Sequence, residues 1–257
     1  MKAFRVQGVG GESPEAAQLW ELGCLGLVEE EGAIVAYFDS ERELPLEGAW
    51  ETLPERDYVA EYQAGLGPVR VGRLVVAPSH RAVEVTDGDV VVWLDPGSAF
   101  GTGHHETTRM ALASLTRLDL SGRTVLDVGA GTGLLAIAAE RLGAGRAYGV
   151  DVDAATVPVA RENARRNLSS ARFALGSLDL PTLPGRFDVV VANLYAELHA
   201  QLLPAYAARL LPGGRLAITG ILTRLKGLVL DAVPAQLEVV HGEEDGEWTL
   251  LELVRRP

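Results

Sequence analysis

From residue 104 onward apolar positions alternate between two periods, and each change of period predicts a change of element. Short β-branched runs predict buried strands, and apolar positions every three or four residues predict amphipathic helices. A helix is expected at about 104–117, followed by strand TVLDV and helix LLAIAAERL. Strand AYGVD then leads to a helix from about Ala154 to Asn167, and ARFAL and FDVVVAN are further strands. Helix ELHAQLLPAYAARLL carries Pro204, which predicts a kink or break. Gly213 and Gly214 lead into strand RLAITG, TRLKGLVLDAV reads as a helix, and LEVVHGEEDGEWTLLELV reads as two strands around an acidic turn. Strands alternating with helices imply an α/β fold, with a mostly parallel sheet covered on both faces and one antiparallel edge strand from the closing hairpin.

The first 53 residues have a different pattern. Phe4, Val6 and Val9 suggest a strand. Ser13-Pro14 reads as a cap with proline in the first helical turn, and Gly23 as the stop after Leu22. LGLVEE and AIVAYF read as a hairpin about EEG. This small α/β unit carries no catalytic signature, so a recognition module and a structural appendage are both open readings. Residues 54–68, PERDYVAEYQAGLG and Pro68, read as a linker with a short helix, and 69–257 as the second domain. VRVGRLVVAP and DVVVWLDP look like two strands at its start, the second ended by Pro96 and Gly97.

Composition narrows the classes. There are 257 residues with 47% hydrophobic content, enough for one large core and a small appendage. No apolar run is long enough to span a bilayer, and the N-terminus has no signal-like apolar stretch, so a cytoplasmic protein without a membrane partner is expected. A single cysteine, Cys24, excludes an internal disulfide and a cysteine metal cluster. The net charge of -12 disfavours direct nucleic-acid binding and is compatible with a basic protein partner.

The chemistry gathers in two stretches, DPGSAFGTGHHETT at 95–108 and VLDVGAGTG at 125–133. The second is a strand, a glycine turn and a helix, with Gly129, Gly131 and Gly133 spaced G-x-G-x-G after Asp127. A dinucleotide fingerprint needs G-x-G-x-x-G, so this spacing favours S-adenosyl-L-methionine over a nicotinamide. Asp151, followed by Val152, stands eighteen residues after Gly133, where an acidic side chain meets a ribose diol. Asp153 reads as a cap. Ser177 and Leu178 follow the third strand, where contact with an adenine ring and a plain turn are both open. Asn193 ends the fourth strand, followed by Leu194, where its amide could accept a hydrogen bond from an amine or cap the next helix. In the first stretch Phe100 can pack on an apolar cofactor face. Gly101, Thr102 and Gly103 form a close-fitting loop, and Thr107 and Thr108 occupy a helical first turn suited to a carboxylate. His104 and His105 are adjacent, do not face one another on a helix and have no third ligand nearby, so no metal is expected. His80, His199 and His241 read as isolated.

VLDVGAGTG, Asp151 and Asn193 together resemble class I S-adenosylmethionine-dependent methyltransferases, whose sheet is Rossmann-like. DPGSAFGTGHHETT, with NLYAEL and the small N-terminal unit, is similar to the methyltransferase family of large-subunit ribosomal protein eleven. That resemblance implies methylation of lysine ε-amines and of the N-terminal α-amine, up to the trimethyl state. It implies Asn193 and Leu194 as the catalytic pair. It also implies that the N-terminal module recognises the ribosomal protein while the linker lets it swing; a basic ribosomal protein substrate, free before assembly, and a monomeric enzyme are expected. Tyr58 and Tyr62 stand in the linker where the family tends to carry tryptophan. A nucleic-acid base or a glutamine amide is the alternative acceptor, but such enzymes usually follow the asparagine with two prolines and an aromatic, and here Leu194-Tyr195 follow.

Overall fold

The computed structural model describes residues 2–10, 13–30, 32–51, 67–79, 81–95, 101 and 103–257, the side chain of residue 21 excepted. The linker reading at 54–68 therefore falls mostly outside the described residues, as do Tyr58, Tyr62, His80, Pro96 and Gly97. The chain divides into two compact units, Met1–Glu61 and Tyr62–Pro257.

The first unit is a four-stranded antiparallel sheet and one helix. Its elements are β1 (Lys2–Gln7), α1 (Pro14–Glu21), β2 (Gly26–Glu30), β3 (Ala33–Phe38) and β4 (Ala49–Glu51). The strand order is β2-β3-β1-β4. The Ser13 hydroxyl accepts the Ala16 N–H at 3.2 Å and starts α1, which buries Leu19 against Phe4, Ile34 and Phe38. Full burial of a leucine stabilises by about 1.5–3 kcal/mol. Gly23 takes φ +80° just after the helix, a conformation open to glycine. β4 is too short to show a period in the sequence. It closes the sheet because Gly48 has no side chain: a β-carbon there would lie 2.6 Å from the Phe4 ring and from the Arg5 carbonyl oxygen. Trp50 then packs against Phe4 and Phe38 at ring-centroid distances of 5.1 and 5.5 Å.

The second unit opens with three strands where the sequence suggests two. β5 (Val69–Val71) and β6 (Leu74–Ala77) form a hairpin at Gly72, whose φ is +55°. β7 (Val90–Trp93) pairs with β6 in parallel, and the three form a sheet of their own. The amide of Asn167 bonds both the N–H and the carbonyl of Trp93, at 2.8 and 2.6 Å. Asn163 Oδ1 accepts the Asp95 N–H at 3.2 Å. These amides tie the end of β7 and Asp95 to Asn163 and Asn167.

The main sheet follows. Its elements are α2 (Glu106–Arg117), β8 (Thr124–Val128), α3 (Leu134–Arg141), β9 (Arg146–Asp151), α4 (Thr156–Arg166), β10 (Arg172–Leu175), β11 (Phe187–Asn193), α5 (Ala196–Arg209), β12 (Leu210–Leu222), α6 (Lys226–Asp231), β13 (Leu237–Asp245) and β14 (Trp248–Arg255). The seven strands run in the order β10-β9-β8-β11-β12-β14-β13. The first five are parallel; β14 is reversed. The reversed strand lies one place in from the edge, because β13 turns back beside it and runs with the rest. Val189 and Val191 of β11 face one core, and Val190 and Ala192 face the other, which explains the unbroken apolar run. Pro204 does not break its helix, which runs through from Ala196 to Arg209. β12 begins at Leu210, ahead of the Gly213-Gly214 pair that reads as its approach in sequence. Strand order reverses between β8 and β11, and in such sheets ligands bind at that point, beyond the carboxyl ends. Among the described residues no helix is long and apolar enough to cross a membrane.

Candidate active site

The turn after β8 is shaped by its protein neighbours. Gly129, Gly131 and Gly133 take φ values of +75°, +51° and +81°. A β-carbon on Gly133 would lie 2.7 Å from the Phe173 ring, and one on Gly129 would lie 2.5 Å from Leu194 Cδ2. The N–H groups of Gly129 and Ala130 both donate to the Val150 carbonyl, at 2.9 and 3.0 Å, so the loop is anchored to β9.

Asp127 lies beneath this loop, fully buried. Its Oδ2 accepts the Ala136 N–H of α3 at 3.2 Å, while Oδ1 has no hydrogen-bond partner among the described residues. Burial pushes its carboxyl up to about 7, opposed by the Ala136 N–H and assisted by the negative charge of Asp151.

A cavity of about 660 Å³ opens at the carboxyl ends of β8, β9 and β11. Gly129, Gly131, Asp151, Val152, Ser177, Asn193 and Leu194 line it. Of the other sequence candidates, Leu178 is buried in the core below, and Asp127, Gly133 and Thr108 are also absent from its lining. Phe100 and Thr102 fall outside the described residues. Gly101 and Gly103, at φ +106° and +87°, bring the 95–108 stretch against the glycine turn. The Thr132 hydroxyl donates to the Gly101 carbonyl at 2.9 Å, and Gly103 packs on Val76 and Leu134.

Asp151 and Asp153 are both carboxylates of this wall, and Asp151 is tied to the glycine turn. Its Oδ2 accepts the Gly131 N–H at 2.8 Å and its Oδ1 accepts the Asp153 N–H at 3.0 Å. Two oxygens offer about four lone-pair sites, so acceptor capacity remains for a pair of hydroxyls. Val152 beside it is 79% exposed, an apolar surface at the mouth. Asp153 accepts the Ala155 N–H at 2.8 Å and shapes the turn into α4.

Asn193 faces the cavity from the end of β11. Its Nδ2 donates to the Thr107 hydroxyl at 3.0 Å and to the Thr108 hydroxyl at 3.4 Å, both in the first turn of α2. No donor reaches its Oδ1 among the described residues. Gly220 makes room for that oxygen, since a β-carbon there would stand 2.7 Å from it and 2.4 Å from the Leu194 carbonyl oxygen. The amide nitrogen is thus committed to the two threonines, and the amide oxygen is its acceptor end.

Two histidines support this corner, and neither stands out in the sequence. His199 is fully buried; its Nε2–H and the Leu194 N–H converge on the Thr219 carbonyl, at 2.8 and 3.0 Å. Tyr206 donates to its Nδ1 at 3.3 Å. Burial holds the imidazole down to about 4, against the opposing pull of the Thr219 carbonyl. His105 caps α2: its Nδ1 accepts the Thr107 N–H at 3.3 Å. Among the described residues no three metal-ligating side chains come together.

The protein-family model described as "Ribosomal protein L11 methyltransferase (PrmA)" matches residues 24–256. The ribosomal protein L11 methyltransferase of Deinococcus radiodurans is 46% identical over 248 residues, 91% of each chain. That of Thermus thermophilus is 43% identical over 254 residues, 98% of each. A crystal structure of ribosomal protein L11 methylase from Lactobacillus delbrueckii subsp. bulgaricus superposes with a TM-score of 0.68 at 28% identity, covering 75% of this chain and 99% of the other.

Proposed function

The chain belongs to the ribosomal protein L11 methyltransferase family, whose members use S-adenosyl-L-methionine, and from that premise we propose that it methylates lysine ε-amines and the N-terminal α-amine of L11, up to the trimethyl state. The observation that carries this reading is Asn193, which lines the cavity with its amide nitrogen held by two threonines.

The cavity residues fit the cofactor. Asp151 has acceptor capacity for a ribose diol, Val152 and Ser177 line the same wall, and Gly129 and Gly131 leave the backbone bare. When bound, S-adenosylmethionine supplies an electrophilic methyl group on a sulfonium. The amine must reach it neutral. An ordinary lysine has a pKa of about 10.4, so only roughly one in a few thousand is neutral at pH 7. Desolvation and the neighbouring positive charge lower that value. Solvent takes the proton before the amine enters, and Asn193 Oδ1 then orients the remaining N–H. A dimethylated amine has no N–H left to offer. Asn193 therefore sets direction in the early transfers, and cavity shape does so in the last.

Residues 1–53 serve as the recognition module for L11, with 54–68 as the linker and 69–257 as the catalytic domain. The separate core of the first unit supports this division, and the net charge of -12 supports a basic partner. The enzyme acts as a monomer on free L11, in the cytoplasm.

The test uses tritiated S-adenosylmethionine with ribosomal proteins and rRNA from a strain lacking this enzyme. Label in L11 alone, placed by mass spectrometry on lysines and the N-terminus, is the expected result. Label on rRNA, or on an amide of L11, would overturn it.

A further inference from the structure

The Thr107 hydroxyl sits between two partners: Asn193 Nδ2 at 3.0 Å and His105 Nδ1 at 2.8 Å. A hydroxyl has one proton to give, so only one of these contacts can be its donation. The sense of the chain follows from a third contact. His105 Nδ1 also accepts the Thr107 backbone N–H at 3.3 Å. A ring nitrogen that accepts carries no proton, which puts the ring N–H on Nε2. The hydroxyl proton therefore points to His105, and the oxygen lone pairs face Asn193. Lone pairs there require the Nδ2 end of the amide. The Oδ1 end is left on the side where Gly220, having no side chain, leaves it room.

Without the ring acceptor, the hydroxyl proton is free to turn toward Asn193. The Nδ2 end would then be held by the Thr108 hydroxyl alone, at 3.4 Å, and the orientation of the amide would be less firmly fixed. The ring is itself held. Trp248, at the start of β14, meets it edge-on at 5.0 Å with the planes at 68°.

We propose that His105 is a positioning residue that sets which end of the Asn193 amide faces the acceptor amine, acting through the Thr107 hydroxyl. This rests on the reading of Asn193 as the group that meets the amine. His105 itself touches neither substrate nor cofactor in this role.

The experiment measures kcat, the L11 KM and the cofactor Kd for His105→Phe, His105→Asn, Thr107→Val, Thr107→Ser and the Phe/Val double variant, with Asn193→Ala alongside. His105→Phe keeps a ring against Trp248 and removes the acceptor; His105→Asn restores an acceptor of the kind that caps helices. His105→Phe and Thr107→Val are each expected to lower kcat on the order of tenfold to a hundredfold, with cofactor Kd unchanged. The double variant should be no worse than either single one, and His105→Asn and Thr107→Ser should recover most of the loss. Thr107→Val leaves the cap in place, so it carries the test if His105→Phe does not fold. Wild-type kcat in His105→Phe or Thr107→Val, or losses that multiply in the double variant, would overturn the inference. Full activity in Asn193→Ala would overturn the reading of the site and this inference with it. A damaging Asn193→Ala beside an indifferent His105 overturns this inference alone.

Discussion

Gly129 and Leu194, 65 positions apart, are in contact: a β-carbon on the glycine would stand 2.5 Å from Leu194 Cδ2. The glycine turn and the Asn193-Leu194 corner are therefore one packed unit. Gly129→Ala combines this clash with a left-handed φ of +75°, and strained positions of this kind cost about 1–3 kcal/mol. A drop in melting temperature together with at least tenfold weaker cofactor binding by calorimetry is expected. Unchanged affinity would mean that the corner relaxes without disturbing the cavity.

Asp151→Ala removes the acceptor of the Gly131 N–H and, on the proposed reading, of the ribose hydroxyls. Hydrogen bonds to a charged group contribute about 1.5–3 kcal/mol, so cofactor Kd should rise roughly tenfold to a hundredfold. Asp151→Asn keeps one oxygen and should fall between. Equal affinities in all three proteins would remove Asp151 from the cofactor site.

Asp127→Asn tests a support role against a contact role. The folded carboxyl is raised to about 7 from an ordinary 3.8. A raised acid contributes fully below the ordinary value, and its contribution is lost as pH rises through 7. The variant keeps an oxygen for the Ala136 N–H and carries no charge. It should be more stable than wild type at pH 8, by about 1 kcal/mol or more, with the gap closing by pH 5. Cofactor affinity should hold. Urea midpoints across this range decide the first point and calorimetry the second.

His199 has the opposite slope. Its folded value of about 4 lies below an ordinary 6.5, so the stability held by the neutral ring is complete above 6.5 and is lost as pH falls through 4. Over that window the loss reaches about 3 kcal/mol. His199→Asn should flatten the acid limb of the stability curve and lower kcat, since Leu194 shares the Thr219 carbonyl with the ring. An unaltered acid limb would assign the acid sensitivity elsewhere.

Gly48→Ala should destabilise the first unit by pushing β4 off Phe4 and Arg5. Proteolysis should then cut within residues 1–53 while cofactor binding by the second unit persists. Loss of cofactor affinity would show that the two units depend on each other for folding.

These positions also show what could be read in advance. The alternation of Val189, Val190, Val191 and Ala192 between two cores is written in residue type, so the parallel sheet and its order of elements could be read. Ser13 and Pro14 announced α1 because capping is local chemistry. β4 and the split between β5 and β6 were hidden because strands of three residues have no measurable period. Pro204 was misleading as a breaker, since packing of α5 on both sides of it outweighs one missing hydrogen bond. The places of Asp151 and Asn193 at the ends of their strands were legible, and both line the cavity. His105 and His199 were not: each matters through a partner brought from elsewhere in the fold, Trp248 and Thr219, and no spacing along the chain records that.

The reversal of β14 settles which side of the molecule can be handled. Because it runs against its neighbours, its first residue, Trp248, lies at the cavity end of the sheet, and Val254 pairs with Arg215 at the opposite end. Anything joined after Arg255 leaves from the rear. A reporter or an immobilising tether attached there would lie at the end of the sheet opposite the cavity, whereas an insertion at Gly246 would lie at the cavity end.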